Sequence, residues 1–147
     1  MNRPLQSKLR EFRKRKHWTL NKLSQLSGIP LITVWRTEHG HGVTLNNAFT
    51  IAGVFKVSVY DLWDIARPGP SAGMFVNNVI SIRKLRVRRG WGLRELAKAS
   101  GVSRTTLSVA EGGHRPSLGN AAKIAAALNV SVYDLWKPPQ IRASGRR

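Results

Sequence analysis

One short segment contains side chains of the types that recognise the edge of a DNA base pair: Arg104, Thr105, Ser108 and Val109. Arginine can donate two hydrogen bonds to guanine, whereas threonine and valine can contact the methyl group of thymine. Ser103 before them is a good N-cap, so we predict a helix with Leu107 and Ala110 on its inward face. Thr106 lies at the flank and is a further candidate base contact. For the arginine, a phosphate contact or a solvated charge is the alternative.

The charge of the chain indicates a polyanionic partner. Its 25 Lys and Arg residues against 7 Asp and Glu give a net charge of +18, and neutralising phosphates releases counterions on binding. The absence of cysteine excludes disulfides, thiolate metal sites and cysteine nucleophiles. Without a Gly-rich phosphate loop or a cluster of His, Asp and Ser, the sequence predicts neither an enzyme nor a cofactor or metal site.

No hydrophobic segment of the sequence indicates a membrane or secreted protein. No apolar run approaches the roughly 20 residues of a membrane span. The basic N-terminus lacks the apolar region of a secretory signal. We therefore expect a cytoplasmic protein, associated with the nucleoid through DNA.

The chain contains an internal repeat. The sequence VSVYDLW occurs at Val57–Trp63 and again at Val130–Trp136. A shift of 73 residues aligns residues 1–63 with 74–136 without a gap, with 25 of 63 positions identical. We predict two domains at residues 1–64 and 76–136, a Pro- and Gly-rich linker at 65–75 and a basic tail at 137–147.

Each copy is predicted to contain five short helices and no strand. In the first copy, helices two and three end at Gly28 and Gly40, because glycine tolerates a left-handed backbone. The fourth helix covers residues 45–55, and Ser58 and Asp61 then have the spacing of a capping box. The second copy repeats these features 73 residues later.

The second copy closely resembles a known family from its second predicted helix onward. Residues 93–136 have the sequence LRELAKASGVSRTTLSVAEGGHRPSLGNAAKIAAALNVSVYDLW, which resembles the lambda-repressor-like, Cro-type (XRE) helix-turn-helix family. Residues 20–63 of the first copy, LNKLSQLSGIPLITVWRTEHGHGVTLNNAFTIAGVFKVSVYDLW, resemble it more weakly. The resemblance covers about 120 of the 147 residues. It implies an all-α fold of two tandem five-helix domains, each with its third helix in the major groove of double-stranded DNA.

The resemblance also implies contacts to DNA phosphates. The family usually has a polar residue at the start of helix two, where this chain has Leu20 and Leu93. The neighbouring Asn21 and Arg94 are therefore predicted to take over that contact. Further candidates follow the third helices: His41, Thr44, His114, Arg115 and Ser117.

Two pairs of opposite charge recur in both copies, Arg13 with Glu38 and Arg86 with Glu111. The resemblance implies that each pair is an ion pair joining helix one to the end of helix three. We expect these residues to have a structural role.

The first copy departs from the family pattern on the outward face of its third helix, where it has Leu31, Ile32 and Trp35. One interpretation is that this helix still enters DNA, with Thr33 and Arg36 making the polar contacts. Another, which we favour, is that the apolar side chains contact protein: the other copy, another chain or a different protein. A third is a rotation of the helix that buries the tryptophan.

These features predict a sequence-specific transcriptional regulator, most simply a repressor, whose two copies act as a pseudo-dimer. Half-sites on one face of DNA lie about 34 Å apart, and the segment from Asp64 to Phe75 spans roughly 40 Å when fully extended. The alternative is a DNA-binding adaptor or antitoxin-like protein whose first copy mainly makes protein-protein contacts.

Overall fold

Residues 7–65 and 81–138 are described by the structure, a computed structural model. They divide into two compact units, residues 7–65 (the first unit) and residues 81–137 (the second unit). Most of the predicted linker at 65–75 and of the predicted basic tail at 137–147 lies outside the described residues.

The described residues are helical, as predicted. The first unit contains α1 (Leu9–Arg15), α2 (Leu20–Ser27), α3 (Leu31–Glu38), α4 (Leu45–Phe55) and α5 (Val59–Leu62). The second unit contains α6 (Ile82–Arg88), α7 (Leu93–Ser100), α8 (Arg104–Glu111), α9 (Leu118–Ala127) and α10 (Val132–Leu135). Within these ranges there is no strand, and one isolated bridge pairs Ser7 with Trp63. Each helix of the second unit begins 73 residues after its counterpart in the first.

Each unit has a small core made of one apolar stripe from every helix. In the second unit, Leu96, Leu107 and Leu118 from three successive helices are fully buried. Leu23, Val34 and Leu45 are fully buried in the first unit. Because residues three and four apart share a helix face, burying Leu107 and Ala110 fixes the rotation of α8 about its axis.

The repeated VSVYDLW segment closes each unit, as the sequence predicts. Ser58 and Asp61 form a capping box, with the Ser58 N–H donating to Asp61 Oδ2 at 3.0 Å. Ser131 and Asp134 form the same box at 2.9 Å. The tryptophans that follow, at positions 63 and 136, are 2 % and 7 % exposed. This segment therefore stabilises the fold.

The third helix of each unit ends two residues before the predicted glycine. Helix α3 ends at Glu38 and α8 at Glu111, and the backbone turns left-handed only at Gly40 (φ 84°) and Gly113 (φ 107°). Each glycine is the C′ residue that terminates its helix, since the N–H groups of Gly40 and His41 donate to the carbonyls of Thr37 and Arg36 at 3.4 and 3.0 Å. Gly113 and His114 donate in the same way to Ala110 and Val109.

Candidate nucleic-acid interface

The turn between α7 and α8 sets the position of α8. Gly101 has a left-handed backbone (φ 78°), and its N–H donates to the carbonyl of Ala97 at 2.8 Å. Val102 is buried in the core. Ser103 then caps α8, since its Oγ accepts from the N–H of Thr106 at 3.2 Å. The turn from α7 to α8 therefore consists of a left-handed glycine (Gly101), a buried valine (Val102) and the N-cap serine (Ser103).

The outward face of α8 exposes four candidate base contacts: Arg104, Thr105, Ser108 and Val109. Val109 is 46 % exposed although it is apolar, and Leu107 beside it is fully buried. These side chains lie on the face where the sequence predicted them. Thr106 lies at the flank, and its hydroxyl accepts a hydrogen bond from Ser103 Oγ at 2.9 Å. Thr106 therefore belongs in part to the helix cap, in addition to its predicted role as a base contact.

An open depression lies on this face. Its volume is about 410 Å³, and its lining consists of Leu93, Arg104, Thr105, Ser108 and Val109. Leu93 is the first residue of α7, so two helices contribute to the surface. From the sequence, Leu93 is predicted only as the loss of a phosphate contact, and its position beside the α8 side chains is not predicted.

The candidate phosphate contacts of the second unit differ in how they are held. Arg94 and His114 are exposed. Arg115 is exposed and donates from Nη2 to the carbonyl of Lys137 at 2.8 Å. Ser117 caps α9, because its Oγ accepts from the N–H of Asn120 at 3.3 Å. The hydroxyl of Ser117 therefore has a structural role whether or not it contacts phosphate.

The corresponding residues of the first unit follow the same pattern. Asn21 and His41 are exposed. Thr44 caps α4, with its Oγ1 accepting from the N–H of Asn47 at 3.1 Å. Capping by Ser or Thr at these positions was missed from the sequence, although both residues are typical N-caps directly before an apolar helix.

Helix α3 of the first unit exposes three large apolar side chains. Leu31, Ile32 and Trp35 are 44 %, 58 % and 40 % exposed. Arg36 is also exposed and Thr33 is half-buried. The interpretation in which the helix rotates to bury the tryptophan is therefore wrong. Val34 and Thr37 fill the inward face instead, and both are almost completely buried.

The Trp35 ring packs against imidazole. The ring of His39 stacks on it with centroids 4.0 Å apart, and that of His41 lies at 6.2 Å. His39 Nδ1 also lies 2.8 Å from the carbonyl oxygen of Trp35. His39 was not among the predicted site residues, because the repeat aligns it with a glycine, Gly112. Its position four residues after the tryptophan on a helix was the available signal.

A partly buried ion pair lies at the C-terminal end of α3, and another at the C-terminal end of α8. Arg86 donates from Nε to Glu111 Oε2 at 2.7 Å, and from Nη1 to the carbonyl of Trp91 at 2.9 Å. The first unit repeats the arrangement with Arg13 and Glu38. The hydrogen bond to Glu111 raises the pKa of Arg86 above its ordinary value, although burial acts in the opposite direction. The pairs join α1 to α3 and α6 to α8, as expected.

A family model described as "Helix-turn-helix" matches residues 82–135, which contain α6 to α10 of the second unit. Residues 82–135 are a helix-turn-helix domain of the XRE type. Within this domain three residues, Gly101, Val102 and Ser103, join α7 to α8, and two helices joined by such a short turn are typical of the motif. The exposed side chains of α8 and the depression beside Leu93 lie on this pair of helices.

Proteins named as regulators of transcription are similar in sequence to the chain. A "Neisseria hypothetical transcription factor" of Neisseria meningitidis serogroup B is 43 % identical over 63 residues, which are 42 % of this chain. A "Putative HTH-type transcriptional regulatory protein" of Methanoregula boonei is 30 % identical over 122 residues, or 76 % of this chain. The "HTH-type transcriptional regulator SutR" of Escherichia coli K12 is 39 % identical over 61 residues, or 41 % of this chain.

These similarities cover part of each relative. The aligned segments span 59 %, 37 % and 34 % of the three proteins' own lengths. No solved structure matches the chain. The family match and the names of the relatives support DNA binding and transcription regulation, the functional class that the sequence predicts.

The described ranges contain neither a cluster of metal-binding residues nor a helix that could span a membrane. Residues 7–65 and 81–138 contain no group of three or more His, Cys, Asp or Glu that could hold a metal ion. In the same part of the chain, no helix has the length and apolar content needed to cross a bilayer.

Proposed function

We propose that the chain is a sequence-specific regulator of transcription that binds double-stranded DNA with α8 in the major groove. The exposed face of α8, the third helix of the matched helix-turn-helix domain, is the observation that supports this most. The major groove of B-DNA admits one α-helix and presents a distinct pattern of donors, acceptors and methyl groups for each base pair. The side chains on this face suit that pattern.

Arg104 supplies the strongest recognition in this proposal. It is the first residue of α8, and the N-terminal residues of a recognition helix contact base edges. Its guanidinium donates two parallel hydrogen bonds, which suit the O6 and N7 acceptors of guanine. The buried Leu107 fixes the direction in which the outward face points, so the arginine does not have to order the helix on binding.

The phosphate contacts orient the domain on the duplex and contribute most of the affinity. Arg94 lies at the start of α7, next to the depression residue Leu93, and His114 and Arg115 lie in the loop after α8. Basic side chains near helix ends and in loops bind phosphate oxygens without distinguishing bases. In this assignment Arg94 replaces the polar residue that the family usually has at position 93.

We further propose that the two units act as a pseudo-dimer on an asymmetric site and repress by occupying it. The 73-residue offset between the helices of the two units supports a common mode of binding. The similarity to the Methanoregula protein covers 76 % of the chain, more than either unit alone. Repression by occupancy requires no additional surface, because bound protein excludes other proteins from the same DNA.

Selection of binding sites from random duplex DNA by the full chain tests the proposal. Enrichment of two dissimilar half-sites, with centres about 34 Å apart, is the expected result. Enrichment of one half-site would contradict the pseudo-dimer and leave DNA recognition by the second unit intact. Absence of any enriched sequence would contradict sequence-specific regulation itself.

A second candidate function follows from the exposed apolar face of α3. In this alternative the chain is an adaptor or antitoxin-like protein that binds DNA through the second unit and protein through the first. Leu31, Ile32 and Trp35 favour it, because large apolar side chains clustered on one helix face typically mark an interaction surface.

Removal of this apolar face should separate the two candidate functions. If α3 contacts protein, Leu31→Ala with Trp35→Ala should weaken self-association tenfold or more, as expected for roughly two buried apolar side chains. Affinity for DNA should then stay unchanged at constant salt. Sedimentation equilibrium and DNA titration measure the two quantities. A loss of DNA affinity with unchanged self-association would contradict the protein-contact function of α3.

The second unit offers a matched control. Arg104→Ala with Ser108→Ala changes the positions that correspond to Leu31 and Trp35. This variant should weaken sequence-specific DNA binding and leave self-association unchanged. The two double variants are then expected to give opposite patterns.

A further inference from the structure

The depression on the second unit has an apolar side that no phosphate contact explains. Leu93 contributes from α7, and Thr105 and Val109 contribute from α8. Val109 is 46 % exposed and Leu93 is half-buried, so both retain apolar surface for a ligand. Arg104 and Ser108 supply the polar part of the same lining. The depression therefore combines an apolar contact surface with two hydrogen-bonding side chains.

The apolar group that the major groove presents is the C5 methyl of thymine. A methyl group on the leucine, threonine and valine side chains removes apolar surface from water without leaving a polar group unpaired. A guanine beside the same depression would offer its O6 and N7 acceptors to the arginine. The lining thus suits a thymine close to a guanine better than it suits two G·C pairs.

We infer that Leu93, Thr105 and Val109 form a binding site for the C5 methyl of one thymine, close to a guanine bound by Arg104. Leu93 is then a specificity-determining residue although it lies outside α8. This inference rests on the proposed function and adds to it the identity of a recognised group. It also gives a role to the leucine at position 93, whose side chain cannot donate a hydrogen bond to phosphate.

The helix geometry sets the distance between the two recognised bases. Arg104 and Val109 are five residues apart, which corresponds to about 7.5 Å along an α-helix. Successive bases on one strand are separated by about 3.4 Å. The guanine and the thymine should therefore lie within about two base pairs of each other.

Deoxyuridine substitution tests the inference with the full chain. In a duplex that carries the selected site, each thymine is replaced singly by deoxyuridine, which removes only the methyl group. The guanine bound by Arg104 is first identified as the one that the Arg104→Ala variant no longer distinguishes from other bases. Replacement of one thymine within about two base pairs of this guanine should weaken binding about fourfold, the effect of one buried methyl group. Replacements outside the contacted base pairs should have no effect.

Variants of the protein assign the effect to these residues. With Leu93→Gln, which keeps side-chain size nearly constant, or Val109→Ser, which removes both valine methyls, duplexes that carry thymine and deoxyuridine should bind equally well. Leu20→Ala changes the matched leucine of the first unit and should retain the fourfold difference at that thymine. Thermal unfolding of each variant checks that the domain remains folded.

Two outcomes would overturn the inference, and they differ in meaning. Sequence-specific binding with no deoxyuridine effect, or with an effect that Leu93→Gln and Val109→Ser leave unchanged, contradicts the methyl site and leaves the proposed function standing. Equal binding to the selected and scrambled duplexes overturns the proposed function and the inference together.

Discussion

Binding of the chain to its DNA site should weaken by about a thousandfold or more when salt rises from about 50 to about 200 mM. The chain has a net charge of +18, and the second unit exposes a basic side chain in each of its first four helices. Each phosphate neutralised by such a side chain releases condensed counterions, and this gain decreases as the salt concentration rises. About six to ten such contacts over the two units together give an effect of this size.

The slope of log affinity against log salt identifies the phosphate contacts. Arg94→Ala should lower the slope by about one and weaken binding to all sequences alike. Lys123→Ala, on the exposed side of α9 and outside the proposed contacts, is the matched control and should leave the slope nearly unchanged. Affinity that stays constant between the two salt concentrations would contradict a phosphate-dominated interface.

Replacement of Arg13 by alanine should unfold most of the first unit. The side chain of Glu38, its partner, is 2 % exposed, so the variant leaves a carboxylate buried without its counter-ion. Loss of one member of a buried ion pair costs about 3–5 kcal/mol. That is comparable to the whole stability of a 60-residue unit, at about 0.05–0.15 kcal/mol per residue.

The second unit provides the matched comparison for this prediction. In Arg86→Ala the orphaned Glu111 is 13 % exposed and can be partly hydrated, so the loss should be smaller. Hydrogen exchange followed separately in the two units measures both effects. Arg13→Met with Glu38→Leu should recover much of the stability, because no buried charge then remains. Equal, small losses in both single variants would contradict a structural role for the pairs.

Much of the fold could be predicted because it depends on local chemistry and on the repeat. Apolar residues three and four apart defined the inward face of α8, and the capping box at Ser131 and Asp134 follows from their spacing. Gly101 adopts the left-handed turn that its position after α7 predicts. These features depend on neighbours within one or two helical turns, so the sequence contains enough information to place them.

The site was harder to predict wherever a side chain contacts residues distant in sequence or has two roles. Leu93 joins α8 side chains in one depression only because α7 and α8 cross closely. Arg115 bonds the carbonyl of Lys137, 22 residues away. Thr106 and Ser117 were predicted as DNA contacts, and their hydroxyls also take part in helix caps. The spacing of apolar residues predicts which face of a helix is buried, but it does not predict which distant residues contact that helix.

In the first unit, too, one contact could not be predicted, because the two copies differ at the residue that makes it. The repeat aligns His39 with Gly112, so a comparison of the two copies gave no reason to expect an aromatic contact there. The structure stacks this imidazole on Trp35 and keeps the tryptophan 40 % exposed. The exposed apolar face of α3 is thus partly ordered by the residue that directly follows the helix.

The ability of the Arg104→Ala variant to distinguish two DNA sequences, measured at one fixed salt concentration, tests the central claim most directly. The claim is that α8 distinguishes DNA sequences through this side chain. The ratio of affinities for the selected site and for the same site with its guanine replaced should be about 5- to 150-fold lower in the variant, equivalent to about 1–3 kcal/mol. Arg94→Ala, the phosphate control, should weaken both duplexes equally and keep the ratio. An unchanged ratio in Arg104→Ala would contradict base recognition by this helix.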